Sequence, residues 1–312
     1  MLRNINTTIS TTRQLFVDDF WIEKSEGVTR ELHSPVRREA SIVKDRSWEQ
    51  EKHFSYLVTF WDEDRYRAWY RVGKGGKTGY AESTDGIHWE KPELGIIDFE
   101  GSKKNNLVWD SLGGNMSPFK DPNPGVPKDE LYKAFIRTGG EIFGLVSTDG
   151  LTWKLKQEKP ILNDGPFDSH NIVFWDTWQK EYVAYTRGFS PPGTGDFIFD
   201  NSNKKFIIDP GKGGKRWVRR ASSKDFIRWS PLKSIDCGDT PLEELYTNSC
   251  IQYERAPGTY LMFPSRFIPY RTPDPTWGEP GLSDIVFMSS RDGFHFDRSF
   301  MEAFVRPGQD KE

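Results

Sequence analysis

Ser83-Thr84-Asp85-Gly86-Ile87-His88-Trp89 is a stretch that the chain writes again. Ser147-Thr148-Asp149-Gly150-Leu151-Thr152-Trp153 has the same form, and Ser290-Arg291-Asp292-Gly293-Phe294-His295-Phe296 repeats it with Phe for Trp. A degenerate copy, Ser223-Lys224-Asp225-Phe226-Ile227-Arg228-Trp229, lacks the Gly. The four Asp residues stand at 85, 149, 225 and 292, so the unit recurs every 64, 76 and 67 residues. Such self-similarity is the mark of a repeat architecture.

The repeated unit reads as a tight hairpin. Gly79-Tyr80-Ala81, Phe143-Gly144-Leu145-Val146 and Ile285-Val286-Phe287-Met288 precede it as the ends of buried strands. Asp-Gly then supplies the turn, because Gly tolerates positive φ and Asp can bond its own backbone. An aromatic residue returns the chain to the core. Hairpins of this kind, repeated along a chain with almost no helix, predict an all-β propeller in which each unit is one four-stranded blade.

The strands can be followed blade by blade. The first blade reads Ser55–Phe60, Tyr66–Val72, Thr78–Ser83 and Ile87–Trp89. The second reads Ser117–Asp121, Tyr132–Arg137, Ile142–Ser147 and Leu151–Trp153. The third reads Asn171–Trp175, Glu181–Arg187, Trp217–Ser222 and Ile227–Trp229, with an insertion at Gly188–Lys215 expected to form a loop or hairpin over one face. The fourth reads Ser249–Tyr253, Tyr260–Phe263, Ile285–Ser289 and Phe294–Phe296. Gln14–Ile22 reads as an N-terminal strand of the kind that closes a propeller ring onto its last blade. Few residues follow the fourth repeat, whereas a fifth blade needs about 40–50 more. The expectation is therefore a single propeller domain over residues 1–312, five-bladed in type, with the fifth blade incomplete and an exposed apolar edge beside the fourth.

Composition narrows the function. The net charge of −3 gives no electrostatic case for nucleic acid or a membrane surface. Two cysteines, Cys237 and Cys250, are too few for a disulfide framework, although they could pair. Met1–Thr12 holds no apolar core of signal-peptide length. No His pair has metalloprotease spacing, no calcium-loop pattern occurs, and neither a metal nor a cofactor is implied. Gly76-Lys77-Thr78 is rejected as a phosphate loop, since Arg71 stands where the first Gly belongs and no helix follows.

In a propeller the innermost strand of each blade lines the axis. Four segments bring polar residues to those strands: Trp48 to His53 with Glu49, Phe119 to Pro124 with Asp121, Phe167 to Asn171 with Asp168, and Leu242 to Asn248 with Glu243. Carboxylates crowded into a partly buried cleft push one another's pKa values apart, leaving one protonated and one ionised. That is the equipment for cleaving a glycosidic bond. Trp48, Trp175 and Tyr246 are placed to stack on sugar faces, and Arg187 and Arg266 to bind hydroxyls, a carboxylate or a sulfate. His170, Asn171 and Asn248 complete the candidate set. His88 and His295 lie in the repeat hairpins and are structural in this reading.

The chain resembles the five-bladed propeller glycoside hydrolase superfamily shared by families 32, 43, 62 and 68, and more closely the bacterial proteins described as glycosyl hydrolase family 32-like. The residues that carry the resemblance are Tyr80 to Trp89, Gln14 to Asp19, Gly101 to Asn106, Phe167 to Asn171, Glu243 with Tyr246 to Asn248, and Ser290 to Gly293. The resemblance implies a hydrolase acting on a polysaccharide or oligosaccharide, with Asp168 and Glu243 as the working pair and Glu49 and Asp121 as further candidates. Glu243 is then the general acid and Asp168 the base or nucleophile, or the reverse; Asp121 orients substrate or tunes the acid. It also implies a secreted or periplasmic setting, and a C-terminal β-sandwich beyond the residues present. The Asn-Asp-Pro-Asn nucleophile motif of invertases is absent, with only Asp121-Pro122-Asn123 near it, so fructosidase activity is not implied. Two further readings stand beside the hydrolase: a non-catalytic propeller that binds a glycan or a protein, and a phosphorolytic enzyme with basic residues beside the acid.

Overall fold

The computed structural model describes residues 11–50, 54–73, 75–190, 196–200, 205–209, 214–271, 276 and 281–308. The first blade is β1 (Phe54–Asp62), β2 (Arg65–Val72), β3 (Lys77–Ser83) and β4 (Leu107–Trp109), hydrogen-bonded in that order. The second is β5 (Gly114–Lys120), β6 (Tyr132–Thr138), β7 (Glu141–Ser147) and β8 (Lys154–Leu155). The third begins with β9 (Ile172–Asp176) and β10 (Glu181–Phe189). A separate hairpin, β11 (Asp196–Asp200) with β12 (Lys205–Asp209), interrupts it before β13 (Arg216–Ser223) and β14 (Lys233–Ser234) complete the sheet. The inserted hairpin was foreseen, and it pairs only with itself.

The fourth blade is split lengthwise. It comprises β15 (Glu244–Leu245), β16 (Ile251–Gln252), β17 (Tyr260–Met262), β18 (Ser265–Ile268), β19 (Leu282–Val286), β20 (Met288–Ser290), β21 (Phe296–Asp297) and β22 (Ala303–Val305). β17 and β18 are successive halves of one long strand, as are β19 and β20. One end of this long hairpin is flanked by β16 and β21, the other by β15 and β22. Among the described residues the only helical elements are two single 3₁₀ turns, Ser47–Glu49 and Lys128–Glu130.

The repeated hairpin folds for the reason its residues suggest. In the first copy Ser83 Oγ accepts the amides of Asp85 and Gly86, and Asp85 Oδ1 accepts those of Ile87 and His88 at 2.8 Å. The same four bonds recur around Ser147, Ser223 and Ser290. Four backbone donors that the turn strands are thereby satisfied by two side chains. The degenerate copy keeps this bonding with Phe226 at a φ of 65° where Gly stands elsewhere.

Successive blades lock through a second repeat. Tyr66, Tyr132, Tyr182 and Tyr260 each pair in register with the first Ser of their own blade's hairpin. The hydroxyls of Tyr132 and Tyr182 donate to Asp62 and Asp121 of the preceding blade, at 2.5 and 2.7 Å, and Tyr260 donates to Asp176 in the same way. The apolar interfaces lie beside these bonds. Trp69, Tyr80 and Val108 meet Met116, Ala134 and Leu145 between the first two blades. Phe119, Phe135 and Ile142 meet Phe167, Tyr182 and Phe226 between the second and third. Tyr185, Trp217 and Val218 meet Tyr260, Met262 and Met288 between the third and fourth.

Two expectations are corrected here. Residues 14–22 form no strand; the segment docks irregularly on the fourth blade, where Arg291 donates to Asp18 at 2.8 Å and to the Leu15 carbonyl at 2.7 Å. Further along, Ile42 and Trp48 cover the open face of the first blade, formed by Ala68, Tyr70, Val72, Ala81 and Leu107. One strand-free length of chain therefore touches both the fourth and the first blade. The open face of the fourth blade carries Phe263, Phe287, Phe300 and Phe304, with Arg30 5.5 Å from the Phe300 ring centre. Cys237 and Cys250 are both unpaired thiols, so the possible disulfide is not formed.

Candidate functional site

The innermost strands are edge strands, and three of them break at one residue with left-handed backbone. Tyr56 has φ 54°, Asn115 φ 58° and Ser249 φ 45°. Pairing slips at the first two, between Ser55 and Val58 and between Gly114 and Ser117. A non-Gly residue at positive φ costs about 1–3 kcal/mol, and such bulges re-aim side chains beside functional sites. These breaks lie at one end of the strands, and there the blades converge.

Asp168, Ser169 and His170 lead into β9 of the third blade. Asp168 is exposed and receives an ion pair from Arg187 at the end of β10. Tyr246 of the fourth blade donates its hydroxyl to the Asp168 carbonyl at 3.3 Å and is hydrogen-bonded to Tyr56 of the first. Burial, with Tyr56 and Asp168 nearby, pushes the Tyr246 phenol up to about 12. From the second blade, Asn115 Nδ2 donates to the Ser169 carbonyl at 3.2 Å, while its Oδ1 accepts Arg71 of the first blade at 3.0 Å. The site thus draws on all four blades.

His170 sits at its floor, 5.3 Å from the Tyr56 ring. Burial lowers its pKa to about 4 against a weaker opposing hydrogen bond to the Met116 backbone. The imidazole is neutral at ordinary pH, and its Nε2 is buried without a protein partner.

Arg187 and Arg216 form a column with aromatic rings. The Arg187 guanidinium lies 5.1 Å from the Phe189 centroid and 5.5 Å from that of Tyr246. Arg216 lies 5.5 Å from Tyr246 and 5.1 Å from Phe267. Glu244, on the same side, lies 3.9 Å from Arg216 Nε. The β11–β12 hairpin leaves the third blade after Phe189 and rejoins it at Arg216, so both of its roots stand at this column.

The structure therefore gathers four of the expected residues, Asp168, His170, Arg187 and Tyr246. Asp121, Glu49, Trp48 and Trp175 lie elsewhere. Asp121 follows the far end of β5, a seven-residue strand of about 23 Å, with Asn115 at the site end. Its carboxylate is buried and taken by Lys133 at 2.7 Å and by Tyr182. Glu49 is fully buried against the outer face of the first blade, accepting from Tyr70 at 2.8 Å and Lys91 at 2.7 Å. Trp48 beside it donates to Asn106 at 2.8 Å and packs on Phe99. Trp175 is core.

Glu243 gives one oxygen to Arg266 at 2.7 Å and the other to Arg298 at 2.5 Å, and Arg266 also grips Asp284. Glu243 shares no hydrogen-bond partner with Asp168 among the described residues. Asn171 and Asn248 are buried brackets for the backbone: Asn171 donates to the Phe167 and Ser169 carbonyls, Asn248 to that of Tyr185.

Tyr56, Arg71, Asn115 and Arg216 were missed. A sequence pattern could have found Arg71, because Tyr66-Arg67-Ala68-Trp69-Tyr70-Arg71, Tyr132-Lys133-Ala134-Phe135-Ile136-Arg137 and Tyr182-Val183-Ala184-Tyr185-Thr186-Arg187 share a Tyr, an aromatic and an Arg at fixed spacing. Tyr56 and Asn115 carry no such mark, since their role depends on the strand breaks. A recess of about 1880 Å³ lies elsewhere: Gln179, Lys224, Asp236 and the Ser290–Phe294 hairpin line it, at the opposite end of the strands from the convergent residues.

No family model matches the chain. Two Mycobacterium tuberculosis proteins, both described as uncharacterized, are 25% identical over 172 residues, covering 51% of this chain and 46% of each relative. The match thus spans about half the length of these curated relatives. A solved N-acetylgalactosamine deacetylase from F. plautii, in complex with blood group B trisaccharide, superposes with a TM-score of 0.53 at 12% identity over 89% of this chain and 77% of that one. A family 93 α-L-arabinofuranosidase of Fusarium graminearum, in complex with arabinobiose, gives 0.47 at 12% identity over 83% and 68%. A Bombyx mori family 32 β-fructofuranosidase gives 0.45 at 13% identity over 79% and 49%. The chain has an all-β propeller fold.

Proposed function

We propose that the protein is a carbohydrate-active hydrolase that cleaves glycosidic bonds in a polysaccharide or oligosaccharide at the convergence of the four blades. The observation that carries this reading is Asp168: an exposed carboxylate on the loop into an innermost strand, flanked by Tyr56, His170 and Tyr246 from three blades. Asp168 acts as base or nucleophile. Tyr246, whose phenol stays protonated at neutral pH and bonds the Asp168 backbone carbonyl, is the proton donor in this reading. The fold alone does not set the reaction, so the reaction class rests on these site residues.

The test is a panel of polysaccharides and oligosaccharides scored for new reducing ends. Asp168→Asn should abolish release and leave the unfolding midpoint unchanged; near-parental release by that variant would overturn the reading. A second reading, a glycan-binding propeller without turnover, is favoured by one fact: all four expected carboxylates, Asp168 among them, are ion-paired. Sugar retention by the parent with no product from any substrate would establish it.

A further inference from the structure

We infer that the site takes an oxyanion, so that its substrate class is an acidic or phosphate-assisted one and not a neutral glycan acted on by water alone. The inference rests on the hydrolase or binding reading only for the location of the site. Its basis is the charge and the unmet donors there. Arg187 is paired with Asp168 and Arg216 stands beside Glu244, while Arg71 is held by the neutral Asn115 amide. Arg71 has no carboxylate partner among the described residues; its side chain is fixed by the Asn115 amide.

The Nε donors of Arg71 and Arg187 are both buried without a partner. A guanidinium carries five donors in a planar fork, and each one buried unmet is destabilising. Stacking on Phe189 and Tyr246 occupies the face of the Arg187 guanidinium and leaves its N–H edge for an acceptor. A carboxylate, sulfate or phosphate matches that edge with two parallel hydrogen bonds, whereas a sugar hydroxyl satisfies one donor at a time. The two arginines belong to one connected network: Arg71 holds Asn115, Asn115 holds the Ser169 carbonyl, and the adjacent Asp168 holds Arg187.

The oxyanion has two sources, a uronate or sulfate carried by the sugar and free inorganic phosphate. Calorimetric titration with glucuronate, galacturonate, inorganic phosphate and inorganic sulfate, against glucose and galactose, separates them. Binding of the sugar acids in preference to phosphate assigns the anion to the glycan; binding of phosphate in preference assigns it to a phosphorolytic co-substrate. In either case Arg71→Ala should weaken anion binding at least tenfold, and Arg71→Lys should restore little of it, because charge without the fork is not enough.

The unfolding midpoint of each variant shows whether the blade survives, and Arg187→Lys provides an independent second probe. Equal affinity for neutral and acidic sugars, no binding of any anion, or an unchanged affinity in Arg71→Ala at an unchanged midpoint would overturn the inference. Because the readout is binding, a protein that fails here and still cleaves a neutral glycan through Asp168 leaves the hydrolase reading standing.

Discussion

Trp69 of the first blade donates its indole N–H to the Gly150 carbonyl in the second blade's hairpin, 2.9 Å away. Tyr185 of the third makes the same bond to Gly293 of the fourth, at 2.6 Å. Between the second and third blades both partners change together. Phe135 holds the position of Trp69 and has no donor, and Phe226 holds the position of the Gly. Their rings lie 5.8 Å apart.

That exchange sets an order of stabilities. Phe226 also packs on Phe119, Tyr182 and Trp229. Truncating a buried Phe costs about 3–5 kcal/mol. Glycine recovers about 1 kcal/mol or more of the positive-φ strain, and alanine does not. Urea unfolding should therefore rank the parent above Phe226→Gly, and Phe226→Gly above Phe226→Ala. Equal losses in the two variants would mean that the backbone at this hairpin is unstrained.

Asp121 is a stability residue. Replacing it with Asn leaves Lys133 buried with Glu130, 3.7 Å away, as its only remaining carboxylate among the described residues. Breaking a buried pair from one side costs about 3–5 kcal/mol. Asp121→Asn should lower the unfolding midpoint by several degrees and leave turnover per folded molecule unchanged at low temperature. A loss of turnover with no loss of stability would return Asp121 to the chemistry.

His170 makes the fold acid-sensitive. Its pKa is about 4 in the folded protein and 6.5 in the reference state. Between those values the unfolded chain binds a proton that the folded chain refuses. Stability therefore falls as pH drops from 6.5 towards 4, by about 3 kcal/mol in all. The difference in unfolding free energy between the parent and His170→Asn should shift by that order between pH 7 and pH 4.5. A constant difference would show that His170 takes a proton in the folded state.

The propeller was legible because its hairpins are chemical signatures: Ser and Asp at fixed offsets are what the turn's four amides need. Half of the site was legible as well, since Asp168, His170 and Tyr246 stand in segments that plainly lead into inner strands. Asp121 misled because Ser117–Asp121 reads as the inner strand, with its carboxylate at the axis. The strand is an edge, where the missing amide of Pro118 costs no ladder bond, and it runs from Gly114, so Asp121 lies at its far end from the site. Glu49 misled because the segment around it reads as the lead into β1, although it lies against that blade's outer face. Tyr56 and Asn115 could not be read, because a left-handed residue in a strand is a product of tertiary packing.

The change from a donor and a glycine to two phenylalanines has a further consequence. A chain of near-copies risks assembling out of sequence, with one unit seated on the wrong neighbour, a characteristic failure of repeat proteins. Here the seam between the second and third units differs from the seams on either side. A Phe226 hairpin offered to Trp69 would crowd the indole and leave it without its bond, and a Gly150 hairpin offered to Phe135 would leave a void. The imperfect copy of the repeat thus gives the units an address, and so an order of assembly that four identical copies would lack.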